Sequence, residues 1–232
     1  MTEKNSHFKE KIRGIDYFKE KIEGIEYKYS TEWIQRLETE EHWRLYWNQQ
    51  KIMQKKIQRN DTVLEIGVGS GFTANYLKSK GYDVKTIDID SDKNPDIISN
   101  IVTYDFKDSY DHILAFEVFE HIPFAEYTQL IKKLSLSCKQ HLFLSVPRNE
   151  KVWMQFGFTL PFIGTHEFRV TTLRRKVVTP SHFWEVDDGT VSMKRFEDTL
   201  RENHFSTIAK EKYFSRLFYA LHINRATSRT TR

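Results

Sequence analysis

The 232 residues carry 36 Lys and Arg against 32 Asp and Glu, with 39% hydrophobic content; this length suits one α/β domain with an extension and a sizeable core. No run approaches the ~18 apolar residues of a membrane span, so no membrane partner is expected, and the interspersed charges favour a solvated surface over a nucleic-acid stripe. The charged start "MTEKNSHFKEK" lacks a signal-peptide core, and the single Cys138 excludes an intrachain disulfide or thiolate cluster, which points to a reducing, cytoplasmic compartment.

Along the chain, "FKEKIRGIDY" (8–17) is followed at once by "FKEKIEGIEY" (18–27), a tandem ten-residue repeat. Two copies are too few for a solenoid, which needs about three larger units. The segment reads as a duplicated arm, a short helix or hairpin. From about Ser30 to Arg59 the pattern is helical, with Trp33, Leu37, Trp43, Tyr46, Trp47, Ile52 and Met53 set among charges. Core packing is the expected role of those aromatics, although a helix leading into the first strand often borders a ligand cleft. "TVLEIG" (62–67) reads as a buried strand and "FTANYLKSKG" (72–81) as a helix closed by Gly81. "YDVKTIDID" (82–90), "DHILAF" (111–116) and "HLFLSVP" (141–147) are further strands. Between the last two, Pro123 opens a helix whose Tyr127, Leu130, Ile131 and Leu134 share one face. This alternation predicts a mainly parallel sheet with helices on both faces, and such sheets bind ligands beyond their C-terminal strand ends.

At one such end lies "LEIGVGSGF" (64–72). A phosphate loop needs GxxxxGK[ST], and no Lys-Ser or Lys-Thr follows in place. A dinucleotide loop needs GxGxxG, whose third glycine would fall on Phe72. The chain instead has Gly67, Gly69 and Gly71 after the acid Glu65, and Asp88 closes the next strand 21 residues beyond Gly67. An acid there can accept from both hydroxyls of a ribose.

This spacing resembles motif I of the class I S-adenosylmethionine-dependent methyltransferases, and "YDHILAFEVFEHIP" (110–123) resembles their fourth-strand signature. The resemblance covers about residues 45–150. It implies a Rossmann-like, seven-stranded, mostly parallel sheet, with S-adenosyl-L-methionine as cofactor. Glu65, Gly67, Gly69, Gly71, Asp88, Ile89, Asn100 and Phe116 are the cofactor residues it implies, with Asp105 competing with Asn100 for the adenine amino group. "TPSHFWEVDDG" (179–189), "MKRFEDTLRENHF" (193–205) and "YFSRLFYALHINR" (213–225) resemble a bacterial branch that ends in a helix and an antiparallel strand pair. The expected organisation is an arm and helix over 1–44, a methyltransferase domain over 45–225 and a flexible basic tail over 226–232. Residues 148–185 are long for a connection and are expected to form a substrate-covering insertion.

Methyl transfer is an in-line displacement in which the protein positions the nucleophile and, where needed, removes its proton. The nucleobase-type [DNS]PP[YF] motif is absent after the fourth strand, and Cys138 lies in the wrong segment for cytosine C5 chemistry. The expected acceptor is therefore an oxygen of a small molecule, with His121 and His182 as candidate catalytic residues. Methylation of RNA or another macromolecule is the alternative, served by Arg169, Arg174, Arg175, Lys176 and the C-terminal arginines; a non-catalytic cofactor-binding regulator is a third. Glu117, Glu120 and His121, at i, i+3 and i+4, would share one face of a helical turn and suit a divalent metal. That ExxEH resembles the metal motif of small-RNA 2′-O-methyltransferases and ubiquinone-pathway O-methyltransferases. "LPFIGTHEF" resembles a segment of the latter, so His166 or His182 would complete the set. The competing reading makes the acid and histidine a turn cap beside the cofactor. The sequence leaves the oligomeric state open.

Overall fold

The computed structural model describes residues 39–224 except 178 and 180, together with the backbone of four short strands between 11 and 29. In the arm, Lys11–Ile12 pairs antiparallel with Ile15–Asp16, and Phe18–Ile22 with Glu26–Tyr29, which is the hairpin alternative. Trp33, Leu37 and the basic tail lie outside the described residues.

Helix α1 (Glu40–Met53) opens with Glu40 and Glu41, whose charges suit the positive end of its dipole, and buries Gln49, Ile52 and Met53. It stops at Met53, short of the expected Arg59, because Gln54 leaves the helical region at ψ 134° and Lys55 follows with a left-handed backbone at φ 64°. The expected boundary between 44 and 45 thus falls inside a single helix. Then follow β1 (Thr62–Ile66), α2 (Phe72–Ser79), β2 (Asp83–Asp88), β3 (Ile97–Ile98), β4 (Tyr110–Phe116), α3 (Phe124–Ser137) and β5 (Cys138–Pro147). Strand β5 begins at Cys138, ahead of the expected His141, because this C-cap residue of α3 is already extended.

Two long strands come next, β6 (Glu150–Leu160) and β7 (Gly164–Leu173), paired antiparallel as a separate two-stranded ribbon. Helix α4 (Met193–Glu202), capped by Ser192 Oγ accepting from Arg195 N, leads into β8 (Phe205–Tyr213) and β9 (Arg216–Ile223). The seven-stranded sheet runs β8-β9-β5-β4-β1-β2-β3. Strand β9 is antiparallel to both neighbours, and the pairs from β5 to β3 are parallel.

Alternation along the strands splits the core between the two faces. On one face Tyr127, Leu130, Ile131 and Leu134 of α3 pack with Ile113, Trp184, Phe196 and Tyr219. On the other, Ile52, Met53, Ala74 and Leu77 pack with Val63, Leu114 and Phe143. The strand order reverses between β1 and β4, and that switch point is where a crevice opens beyond the strand ends.

Candidate active site

At the end of β1 the chain turns sharply through Gly67 (φ 77°) and Gly69 (φ 55°). A Cβ on Gly67 would lie 2.7 Å from Val118 Cγ2, whereas one on Gly69 would meet nothing within 4 Å. The first glycine therefore permits a close approach within the protein, and the second keeps the crevice side of the loop bare. Gly71 is the N-cap of α2 and does not line the crevice. Asp88 braces the loop, with Oδ2 accepting from Val68 N at 2.7 Å and Oδ1 from Asp90 N at 2.9 Å. Burial pushes the Asp88 carboxyl up, against those two hydrogen bonds. Burial drives Glu65 beneath the loop up to about 8, with the charge of Asp88 adding to the effect.

The loop borders a cavity of about 470 Å³, well within the range of small-molecule sites. Glu65, Gly67, Gly69, Asp88, Ile89, Asn100 and Phe116 all line it, as does Glu120. Asn100 Oδ1 accepts from Val102 N at 2.9 Å, while its competitor Asp105 is exposed and away from the lining. Helix α1 supplies His42, Tyr46 and Gln49. The Tyr46 ring stacks on Phe72 at 4.4 Å, and its hydroxyl lies 2.7 Å from Ser70 Oγ, so this helix clamps the glycine loop.

Past β4, Glu117 adopts a left-handed backbone (φ 55°), and a 3-10 turn covers Phe119–His121. The left-handed residue turns its side chain away from those of the turn. The Glu117 carboxylate accepts from Ser145 Oγ at 2.8 Å and pairs with Arg216. The expected metal trio of Glu117, Glu120 and His121 is accordingly not formed. Glu120, His121 and His182 meet in its place, with ligand atoms all within 4.8 Å of one another. His166 sits opposite Phe158 on the ribbon, exposed and outside this group.

The return segment after the ribbon brings His182 in. Phe183 N donates to Glu120 O at 2.8 Å, and Trp184 Nε1 donates to Ile122 O at 3.0 Å, zipping 183–184 onto 120–122. His121 Nδ1 lies 3.0 Å from Ser181 O, and His182 Nδ1 lies 2.8 Å from Glu185 Oε1. The two rings meet edge to face at 5.0 Å. Burial, helped by the charge of His182, pushes His121 down to about 3. Glu120 is fully buried, and neither carboxylate oxygen finds a partner on another residue. Burial and then the charge of Glu117 hold it well above the usual carboxylate range. Burial also raises Glu185, but hydrogen bonds from His182 and Asn149 outweigh it and keep that carboxyl low. Asn149 Nδ2 donates to Glu185 Oε2 at 2.6 Å and to Lys176 O at 2.7 Å, tying the root of the ribbon to the same pair.

Of the segment 148–185, Thr179 and His182 line the cavity, whereas the ribbon strands do not. Sequence reasoning missed Arg216, His42, Gln49 and Thr179. Arg216 had a signal: a strand antiparallel to the sheet begins where the parallel strands end, so its first residue faces the crevice.

A family model described as a methyltransferase domain matches residues 28–177. Among the curated proteins, none matches the chain in sequence. Several solved structures share the fold. An S-adenosylmethionine-dependent methyltransferase from Clostridium acetobutylicum ATCC 824 superposes with TM-score 0.55 at 11% identity, over 82% of this chain and 94% of the other. The glycopeptide N-methyltransferase MtfA, complexed with S-adenosyl-L-homocysteine, gives 0.53 at 11%, over 76% and 89%. The Burkholderia thailandensis 1,6-didemethyltoxoflavin-N1-methyltransferase gives 0.51 at 11%, over 82% and 86%.

Proposed function

Because the chain belongs to the methyltransferase-domain family that its residues 28–177 match, we propose that it transfers the methyl group of S-adenosylmethionine to an oxygen of a small molecule. When bound, that cofactor supplies a methyl carbon made electrophilic by its sulfonium. Gly67, Gly69, Asp88, Ile89, Asn100 and Phe116 would hold it. Asp88 offers carboxylate oxygens for ribose hydroxyls, and the bare backbone at Gly69 leaves room for close approach. Glu65 lines the cavity at the end of β1.

The observation that carries the acceptor reading is the contact between His182 and Glu185 inside the cavity wall. With the Nδ1 proton donated to Glu185, Nε2 of His182 carries the lone pair. It can take the acceptor's hydroxyl proton, and Glu185 then stabilises the imidazolium. A neutral amine attacks without prior loss of a proton, so a buried base suits an oxygen acceptor better. The two fold relatives named for N-methylation support a small-molecule or peptide acceptor and make nitrogen the alternative atom.

A second reading rests on Glu120, whose buried carboxylate lacks a partner on any other residue. Glu120, His121 and His182 would hold a divalent ion with a taste for oxygen and nitrogen, such as Mg²⁺, Mn²⁺ or Zn²⁺. It would supply Lewis acidity that lowers the pKa of an acceptor hydroxyl. Hydrogen bonds from histidine Nδ1 to a carbonyl and a carboxylate are the usual outer support of such ligands.

Methyl transfer to phenols, hydroxy acids, sugars, amines and RNA, each with and without EDTA, tests both readings. The expected result is a labelled hydroxyl compound, with His182→Ala lowering kcat by about 10²–10⁴ and leaving S-adenosylhomocysteine affinity unchanged. Activity lost to chelator and restored by metal selects the ion; activity retained selects the His182–Glu185 base. Labelling of RNA or protein alone would overturn the small-molecule acceptor. Cofactor binding with no acceptor in metabolite or macromolecule fractions would mark a regulator.

A further inference from the structure

The ribbon turns the ordinary amphipathic arrangement inside out. Beyond a bulge at Trp153, Met154 lies opposite Val170, Phe156 opposite Phe168, and Phe158 opposite His166. Directly opposed residues share a face, so Met154, Phe156, Phe158, Leu160, Phe168 and Val170 form one apolar surface. Phe168 stacks between Phe156 at 5.5 Å and Phe158 at 5.8 Å. The other face presents Gln155 and Arg169. That polar face leans on the domain: Arg169 donates to Lys212 O and Phe214 O, and its guanidinium lies 5.5 Å from the centre of the Tyr213 ring. The apolar face is therefore the outward one. Its phenylalanines are 41–52% exposed, and Phe162 at the tip is fully so.

We propose that this outward face is a homodimer interface, in which the ribbon of a second copy packs against it face to face about a two-fold axis. The area fits. At about 150–250 Å² per aromatic side chain, the face and its tip expose roughly 900 Å², against about 800 Å² per partner in a standard interface. A monomer rarely leaves so large an apolar patch in water. The occupant also follows from the shape of the patch. It runs along the ribbon for roughly 20 Å at ~3.3 Å per residue, long enough for two such ribbons to lie along one another. The face bears no acidic residue, Lys or Arg to steer a charged partner, and depletion of charge marks the centre of homodimer interfaces. A two-fold axis sets this one apolar patch against itself, so the same surface serves both partners.

Sedimentation velocity of the full chain over a micromolar concentration series tests this. The expected result is a monomer–dimer equilibrium. Phe156→Asp with Phe168→Asp should weaken it at least ~30-fold, the loss of a single hot-spot aromatic, with the melting curve and S-adenosylhomocysteine affinity retained. Amide exchange within 154–170 should slow as the wild-type concentration rises, a readout that needs no substitution. A wild-type chain monomeric throughout, or a variant dimerising as tightly as wild type, would overturn the proposal. So would a monomer that sediments with phosphatidylcholine–phosphatidylglycerol vesicles, which would make the ribbon a lipid-seeking surface.

Discussion

Gly67 and Asp88 hold one loop from two sides, and their substitutions should fail in different ways. Gly67→Ala brings a methyl group to 2.7 Å from Val118 Cγ2 on a backbone at φ 77°. Strain and overpacking together should cost about 1–3 kcal/mol, read as a lowered melting temperature. Asp88→Ala removes acceptors for the hydroxyls proposed to meet it, together with its brace on Val68 N. Calorimetry should find S-adenosylhomocysteine binding weaker by about 10–100-fold, the scale of charge-assisted hydrogen bonds; unchanged affinity would remove Asp88 from the site. These two residues were legible because motif and spacing are local. Glu117 was not: three residues at helical spacing were expected on one face, and one left-handed backbone angle sends the first to Arg216, 99 positions away in sequence.

Among the elements, α3 and the return segment depend on one buried indole. Trp184 is 1% exposed, contacts the Phe124, Tyr127 and Phe196 rings, and donates to Ile122 O. Trp184→Ala should cost about 3–5 kcal/mol by chemical denaturation, and should lower kcat more than cofactor affinity because His182 sits two residues away. A second test concerns the far end of the sheet. His112, His141 and His222 form a row across β4, β5 and β9, with His112 Nε2 on Asp61 at 2.8 Å. Burial, reinforced by the charges of His112, His222 and Lys56 and opposed by Asp61, lowers His141 to about 4. The unfolded chain therefore binds the proton more tightly. The stability due to this group is complete above about 6.5 and is lost as pH falls through about 4. Urea midpoints should fall across that window, less steeply in His141→Asn. Strands β1 and β4 were legible as short apolar runs, β2 by its alternation, and helix α3 by the one apolar face that follows Pro123. The ribbon was missed although Met154, Phe156, Phe158 and Leu160 alternate with period two. Its apolar side faces away from the core, so no pairing with the sheet was there to be read.

At the scale of the molecule, the parallel half of the sheet is built in sequence order, but its antiparallel closure arrives last. Strand β9 enters between β8 and β5, and its first residue, Arg216, supplies the charge facing Glu117. This order has a consequence for synthesis on the ribosome, where domains emerge from the N-terminal side. Until the final strand leaves the exit tunnel, residues 141–147 of β5 form an open edge, a template for pairing with another chain. The glycine loop and Asp88 can already be in place, while the Glu117 carboxylate still awaits its counter-charge. Nascent chains stopped at residue 214 should therefore aggregate, or be captured by a chaperone, in a pull-down of arrested complexes. Chains stopped after 224 with a linker spanning the tunnel should be soluble. Equal solubility of the two would show that the sheet tolerates an open β5, so that strand insertion is not the step that protects the newborn protein.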